Sequence, residues 1–239
     1  MIPDLLTSFF WSGDAIRSRS VSDIVLSATV EIPEIPVWLT ADWDREAVER
    51  LELEPGDVET LSLSRARMRW PDYKHCVQAI SNWTREIGLQ EVLASSDVAL
   101  MVCRGAKYHH DGVQYGGMAF CNLILSDDTG LDLHFPHAGQ RIPLERGTAV
   151  FFDTAQPHAV IRRGSAGFNP LDFQMDIGGT QVFLTWEIPI ENADVSKALE
   201  IVFDVDPLHS LIMKEEQVWV NGSPAAVCPV SGNWLKVND

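Results

Sequence analysis

Between Asp97 and Ile188 the chain holds six short apolar runs, DVALMVC, MAFCNLIL, LDLHF, TAVFF, HAVIRR and QVFLTWEI, parted by turn residues. Runs this brief, spaced at intervals of roughly ten residues, are how sandwiches and barrels announce themselves. Asp127-Asp128-Thr129-Gly130 reads as a hairpin turn between the second and third runs, and Glu145-Arg146-Gly147 leads into the fourth. The expected class is therefore mainly β with flanking helices. Upstream, the β-branched stretch from Asp23 to Ile32 predicts a strand, and TLSLSRARMRW from Thr60 alternates as a half-buried strand does. The spacing of Val77, Ile80, Trp83, Thr84 and Ile87 predicts a helix over Asp72 to Ile87, stopped by Gly88, and a shorter helix is expected from Asp44 to Leu53. Two more apolar stretches, LEIVF and EQVWV, lie in the tail.

No repeat and no Gly-, Ser- or Pro-rich linker divides the 239 residues, so one domain is expected. Residues 1–95 supply supporting helices and strands, 96–190 the strand core, and 191–239 a C-terminal extension. The 18 Lys and Arg against 34 Asp and Glu leave a net charge of −16. Phosphate backbones and anionic lipid surfaces repel such a chain, which argues against nucleic-acid and membrane partners. The four cysteines form no CxxC pair or dense framework, and the N-terminus has no basic region and no long apolar run. A reduced, cytoplasmic setting is expected.

Five of the seven histidines fall between His109 and His158, inside the strand-rich half. In YHHDG, His109 and Asp111 stand two apart, so on an extended segment both leave the same face and reach one ion. His158, in AQPHAV, comes after three further strands, where closure of the sheet brings a third ligand alongside. Two imidazoles and a carboxylate on one face make the facial triad of non-haem Fe(II) oxygenases, with the other positions open.

In the order HHD, LDLHF, RGTAVFFD, PHAV and FLTW, over about residues 96–188, the chain resembles the 2-oxoglutarate/Fe(II)-dependent oxygenase superfamily. The resemblance implies a double-stranded β-helix, or jelly-roll, core and an Fe(II) site at His109, Asp111 and His158. It also implies 2-oxoglutarate as co-substrate and hydroxylation of a small-molecule or amino-acid-like substrate by dioxygen, releasing succinate and carbon dioxide. The arginine that ordinarily holds the far carboxylate of 2-oxoglutarate is missing at its usual spacing, where Gly167 and Phe168 stand, and Gln181 occupies its alternative place. Arg162 shares a strand face with His158 and is the expected substitute, with Arg104 and Arg141 in reserve; Asn122 is expected to offer an amide to the co-substrate. A His110/Gly112 register would instead leave a vacancy for chloride and imply halogenation, but it would strand Asp111 beside the metal. Tyr108 and Tyr115 border the expected site, and His134 and His137 read as solvated. Two rivals remain: a cupin-like metal dioxygenase that needs no 2-oxoglutarate, and a non-catalytic ligand-binding β-barrel. No Walker loop, GxGxxG or GxSxG element supports nucleotide binding or serine hydrolysis.

Overall fold

A computed structural model describes residues 5–173 and 180–236. An N-terminal hairpin, β1 (Leu6–Ser12) and β2 (Ala15–Ser20), is followed by β3 (Val25–Thr29), α1 (Val37–Arg45) with a π-helical turn over Glu46–Arg50, and β4 (Val58–Leu61). Next come α2 (Leu63–Arg69) and α3 (Tyr73–Glu86). The core strands are β5 (Asp97–Cys103), β6 (Ala106–His109), β7 (Met118–Ile124), β8 (Leu131–Phe135), β9 (Gln140–Pro143), β10 (Thr148–Asp153), β11 (His158–Arg162) and β12 (Gln181–Pro189). After α4 (Ala193–Ala198) and α5 (Pro207–Ser210), the described chain ends in β13 (Gln217–Val220), β14 (Ser223–Val227) and β15 (Trp234–Lys236).

The core strands pair antiparallel as β8 with β9, β7 with β10, β6 with β11 and β5 with β12. These pairs are nested, which makes one long hairpin doubled over between two sheets. One sheet has the order β3-β10-β7-β12-β5-β4 and the other β6-β11-β8-β9. That is the double-stranded β-helix, a mainly β jelly roll. The turn at Asp127 to Gly130 does not close a hairpin: β7 lies in the first sheet and β8 in the second, so the turn crosses between sheets.

Alternation along each strand sorts residues to two cores. Ala149 and Phe151 of β10 face the helices with Leu100, Leu123, Leu184 and Trp186, and there Ile80 and Trp83 of α3 cover them. Val150 and Phe152 face the barrel interior with Leu133, Phe135 and Val160. Both faces of the first sheet are thus buried along β10, every residue of which is buried. The spacing of buried Cys76, Ile80, Trp83 and Thr84 accounts for α3, since each fully buried large side chain contributes roughly 1.5–3 kcal/mol. The stretch from Thr60 departs from its expected form: only Val58–Leu61 is strand, and Leu63–Arg69 turns helical. Arg65 and Arg69 then reach Glu46 and Asp42, partners that an alternation count does not see. The shorter helix begins earlier than expected, at Val37, and its helical turns end at Arg50.

The first and last segments form one sheet, β15-β14-β13-β1-β2. It is tied to the barrel by an ion pair with both side chains fully buried, Arg19 to Asp153, through two contacts of 2.6 and 2.7 Å. Asp153 also accepts from the backbone N–H of Ser22 and Ala155, and Arg19 donates to the carbonyls of Gly116 and Ser20. Arg19→Met leaves a carboxylate buried without its cation and should lower unfolding free energy by about 3–5 kcal/mol. Arg17→Ala, which removes half-exposed pairs with Glu191 and Asp204, should cost about 1 kcal/mol or less. Urea unfolding of both variants checks the contrast, and equal losses would contradict it.

Candidate metal centre

His109 closes β6 and His158 opens β11, and in the register of that nested pair the two residues stand directly opposite each other. The chain distance between them is closed by the sheet alone. Asp111 follows two residues after His109, where its N–H donates to the Thr154 carbonyl at 2.8 Å. The Thr154 hydroxyl in turn donates to the carbonyls of Tyr115 and Met118, so the turn before β11 holds the loop after β6. Gly112 permits this close approach, because a Cβ there would lie 2.9 Å from the Ala155 side chain.

The ligand atoms of His109, Asp111 and His158 all lie within 4.8 Å of one another. His109 Nδ1 is 2.7 Å from the Lys107 carbonyl and His158 Nδ1 is 3.0 Å from the Gln156 carbonyl. A carbonyl only accepts, so each Nδ1 carries the proton and each Nε2 presents a lone pair. Those Nε2 atoms stand 3.7 and 3.5 Å from the two Asp111 oxygens. Burial, and next the neighbouring His109, lowers the His158 pKa to about 4, so this imidazole is neutral and ready to ligate at pH 7. Phe152 and Phe135 pack against its ring at 4.9 and 5.9 Å between centroids.

The triad opens onto a cavity of about 350 Å³ inside the barrel. Its walls include Met101, Cys103, Phe120, Leu133, Phe152, Val160 and Phe183, with Thr60, Gln114, Tyr115, Asn122, Thr185 and Glu187 as polar members. Thr60, Gln114, Thr185 and Glu187 went unnoticed at the level of sequence. Continuing the alternation from Gln181 through Phe183 would have found the last two. Burial, then Asp97, raises the Glu187 pKa, and burial, then Glu187 and Asp111, raises that of Tyr115.

Of the three residues expected to hold co-substrate, only Asn122 lines the cavity. A bulge interrupts the register between His158 and Val160, and the Arg162 guanidinium donates to the Thr129 carbonyl at 2.8 Å. Gln181, fully buried, donates to the Thr129 hydroxyl at 2.7 Å. Arg104 donates to the carbonyls of Leu53 and Phe173, and Arg141 to that of Ser165. His110 turns from the triad: its Nδ1 accepts from the Gly112 N–H and its ring packs 5.3 Å from Trp234. Tyr108 is buried and hydrogen-bonds His134, which sits on β8 rather than in a solvated loop, while His137 is exposed. All four cysteines are free thiols.

No family model matches the chain, and no curated protein matches it significantly. Solved structures similar to it include a viral collagen prolyl hydroxylase from Paramecium bursaria Chlorella virus-1 in complex with 2-oxoglutarate, at 13% identity and a TM-score of 0.40, covering 69% of this chain and 94% of that one. A Pseudomonas putida prolyl-4-hydroxylase matches at 15% identity and 0.36, covering 69% and 92%. The 2-oxoglutarate-dependent epimerase SnoN of nogalamycin biosynthesis matches at 14% and 0.36, covering 69% and 78%. At scores this low the chemistry of the centre rests on its own geometry. Among the described residues no helix is long and apolar enough to cross a membrane.

Burial, before any charge effect, also lowers the His110 pKa to about 4. In the unfolded chain both His110 and His158 titrate near pH 6.5, so between about pH 6.5 and 4 the unfolded state binds more protons than the folded one. Stability of the metal-free protein should therefore be full above about pH 6.5 and fall as pH drops toward 4, by up to about 3 kcal/mol per histidine. Urea midpoints measured at steps of pH check this, and His110→Phe should flatten the decline. An unchanged slope in that variant would contradict the assignment.

Proposed function

We propose that this chain is a non-haem Fe(II)-dependent oxygenase that uses dioxygen and a 2-oxo acid to hydroxylate a small-molecule or amino-acid-like substrate. The observation that carries the reading is the donor set: two Nε2 lone pairs and one carboxylate within reach of one ion, at the wall of a cavity. That set suits ferrous iron, which prefers two imidazoles and a carboxylate with open positions for exogenous ligands. When bound, the iron would supply dioxygen activation and chelation of a 2-oxo acid.

The chain's own residues do the rest. Lys107 and Gln156 carbonyls hold the two imidazoles in the ligating tautomer, and the Asp111 carboxylate offsets one of the two charges of the ion. Phe120, Leu133 and Phe152 keep water from the interior, while Gln114 and Tyr115 offer hydrogen bonds to a substrate. Asp111 fills the position that chloride would need, which favours oxygenation over halogenation. 2-Oxoglutarate is the co-substrate implied by the sequence resemblance, and its carboxylate-oxo end suits the open iron positions. Its far carboxylate meets no cation among the residues that line the cavity. The acidic surface supports a small substrate over nucleic acid.

Anaerobic loading with Fe(II), followed by metal analysis of folded protein, tests the reading. One equivalent is expected in the wild type, and His109→Ala, Asp111→Ala and His158→Ala should each lose it. His110→Ala, His134→Ala and His137→Ala should keep it. Retention of iron by any of the first three, with the fold intact, removes that residue from the site.

A further inference from the structure

We infer that the cavity takes a 2-oxo acid with an uncharged tail, seated on Asn122 and Thr185, in place of a dicarboxylate. This rests on the ferrous reading above and narrows its co-substrate. All 18 Lys and Arg lie among the described residues, and none of them lines the cavity. The three arginines expected to reach in are each committed to backbone carbonyls: Arg162 to Thr129, Arg104 to Leu53 and Phe173, Arg141 to Ser165. A carboxylate buried without a cation costs several kcal/mol, and Glu187 in the same wall adds a second acid rather than a counter-charge.

The polar groups that are present suit a neutral partner. Asn122 of β7 and Thr185 of β12 stand opposite each other in the sheet register, and both face the cavity. They are 9% and 7% exposed, and neither the Asn122 Oδ1 nor the Thr185 Oγ1 has a hydrogen-bond partner. Buried polar atoms are ordinarily satisfied, so two orphans side by side in a cavity wall mark where a ligand supplies the missing bonds. The Asn122 Nδ2–H groups and the Thr185 hydroxyl can donate to an ester, amide or hydroxyl oxygen, and an amide or hydroxyl tail can in addition donate to the Asn122 Oδ1. Met101, Val160 and Phe183 give the rest of that tail an apolar bed.

The overall reaction balances without a far carboxylate. A 2-oxo acid RCOCOO⁻, dioxygen and a substrate R′H give RCOO⁻, carbon dioxide and R′OH. Cleavage of the C1–C2 bond of the 2-oxo acid supplies two of the electrons that reduce dioxygen, and the substrate C–H bond supplies the other two.

The test is an anaerobic titration of the Fe(II)-loaded protein, following the visible charge-transfer band that chelation produces. The probes are 2-oxoglutarate and its methyl ester at the far carboxylate. The ester should bind at least about tenfold more tightly than 2-oxoglutarate. Asn122→Leu with Thr185→Val should weaken binding of the ester at least about tenfold while iron content stays at the wild-type level. Phe183→Arg, which places a cation in the cavity, should shift the ratio about tenfold or more toward 2-oxoglutarate, with circular dichroism confirming the fold. Equal or tighter binding of 2-oxoglutarate by the wild type overturns the inference. So does an iron-loaded protein that chelates neither probe, which would favour oxygenation without a 2-oxo acid. A folded protein that takes up no iron overturns the oxygenase reading itself, and the inference falls with it.

Discussion

The buried pair between Arg19 and Asp153 is the contact that holds together the segments carrying the candidate metal ligands. Asp153 ends β10, and the turn that follows delivers His158 to the head of β11 while its Thr154 carbonyl fixes the backbone of Asp111. Arg19 reaches the same turn from the N-terminal hairpin and also holds the Gly116 carbonyl, beyond Asp111. One guanidinium thus ties three separated segments at the rim of the barrel. A pair taken wholly out of water gains little over a well-packed apolar substitute, yet losing one partner is costly. Here its geometric consequence is plain: the turn and the loop that carry two of the three candidate ligands cannot shift independently.

Burial around the triad is graded. His158 lies deep against Phe152 and Phe135, whereas Asp111 and His109 are progressively more open. The deep imidazole is kept neutral by desolvation and keeps its tautomer through a backbone carbonyl. The histidine lone pairs and the carboxylate are therefore held near one another before any ion arrives, which limits the reorganisation that binding requires. The same desolvation makes His158 expensive to protonate, which is why the metal-free protein is expected to lose stability in acid.

Much of the barrel was legible because strand spacing and apolar alternation are local signals, and the six runs from Asp97 to Ile188 all form strands. The proximity of His109 to His158 was legible for a related reason, since a sheet that closes on itself brings distant strand ends together. What was not legible depended on partners far along the chain. The Asp127 to Gly130 turn has hairpin chemistry, but which sheet receives β8 is decided by β9 and β11. Leu63 to Arg69 alternates like a strand, yet Arg65 and Arg69 answer to acids on and just after α1. Nothing near Arg19 in the sequence signals burial, because its carboxylate lies 134 positions away. Arg162 illustrates the limit of counting by twos: a bulge after His158 and a carbonyl at Thr129 decide where that guanidinium goes.

The proposed centre would hold one divalent ion between two Nε2 atoms and one carboxylate. A crystal structure of protein soaked anaerobically with Mn(II), a redox-stable stand-in for Fe(II), reads it directly through anomalous scattering. The expected result is a single strong peak about 2.0–2.3 Å from His109 Nε2, His158 Nε2 and an Asp111 oxygen, with its remaining positions facing the cavity. A peak elsewhere, ligation through Nδ1, or an empty triad at saturating metal would contradict it.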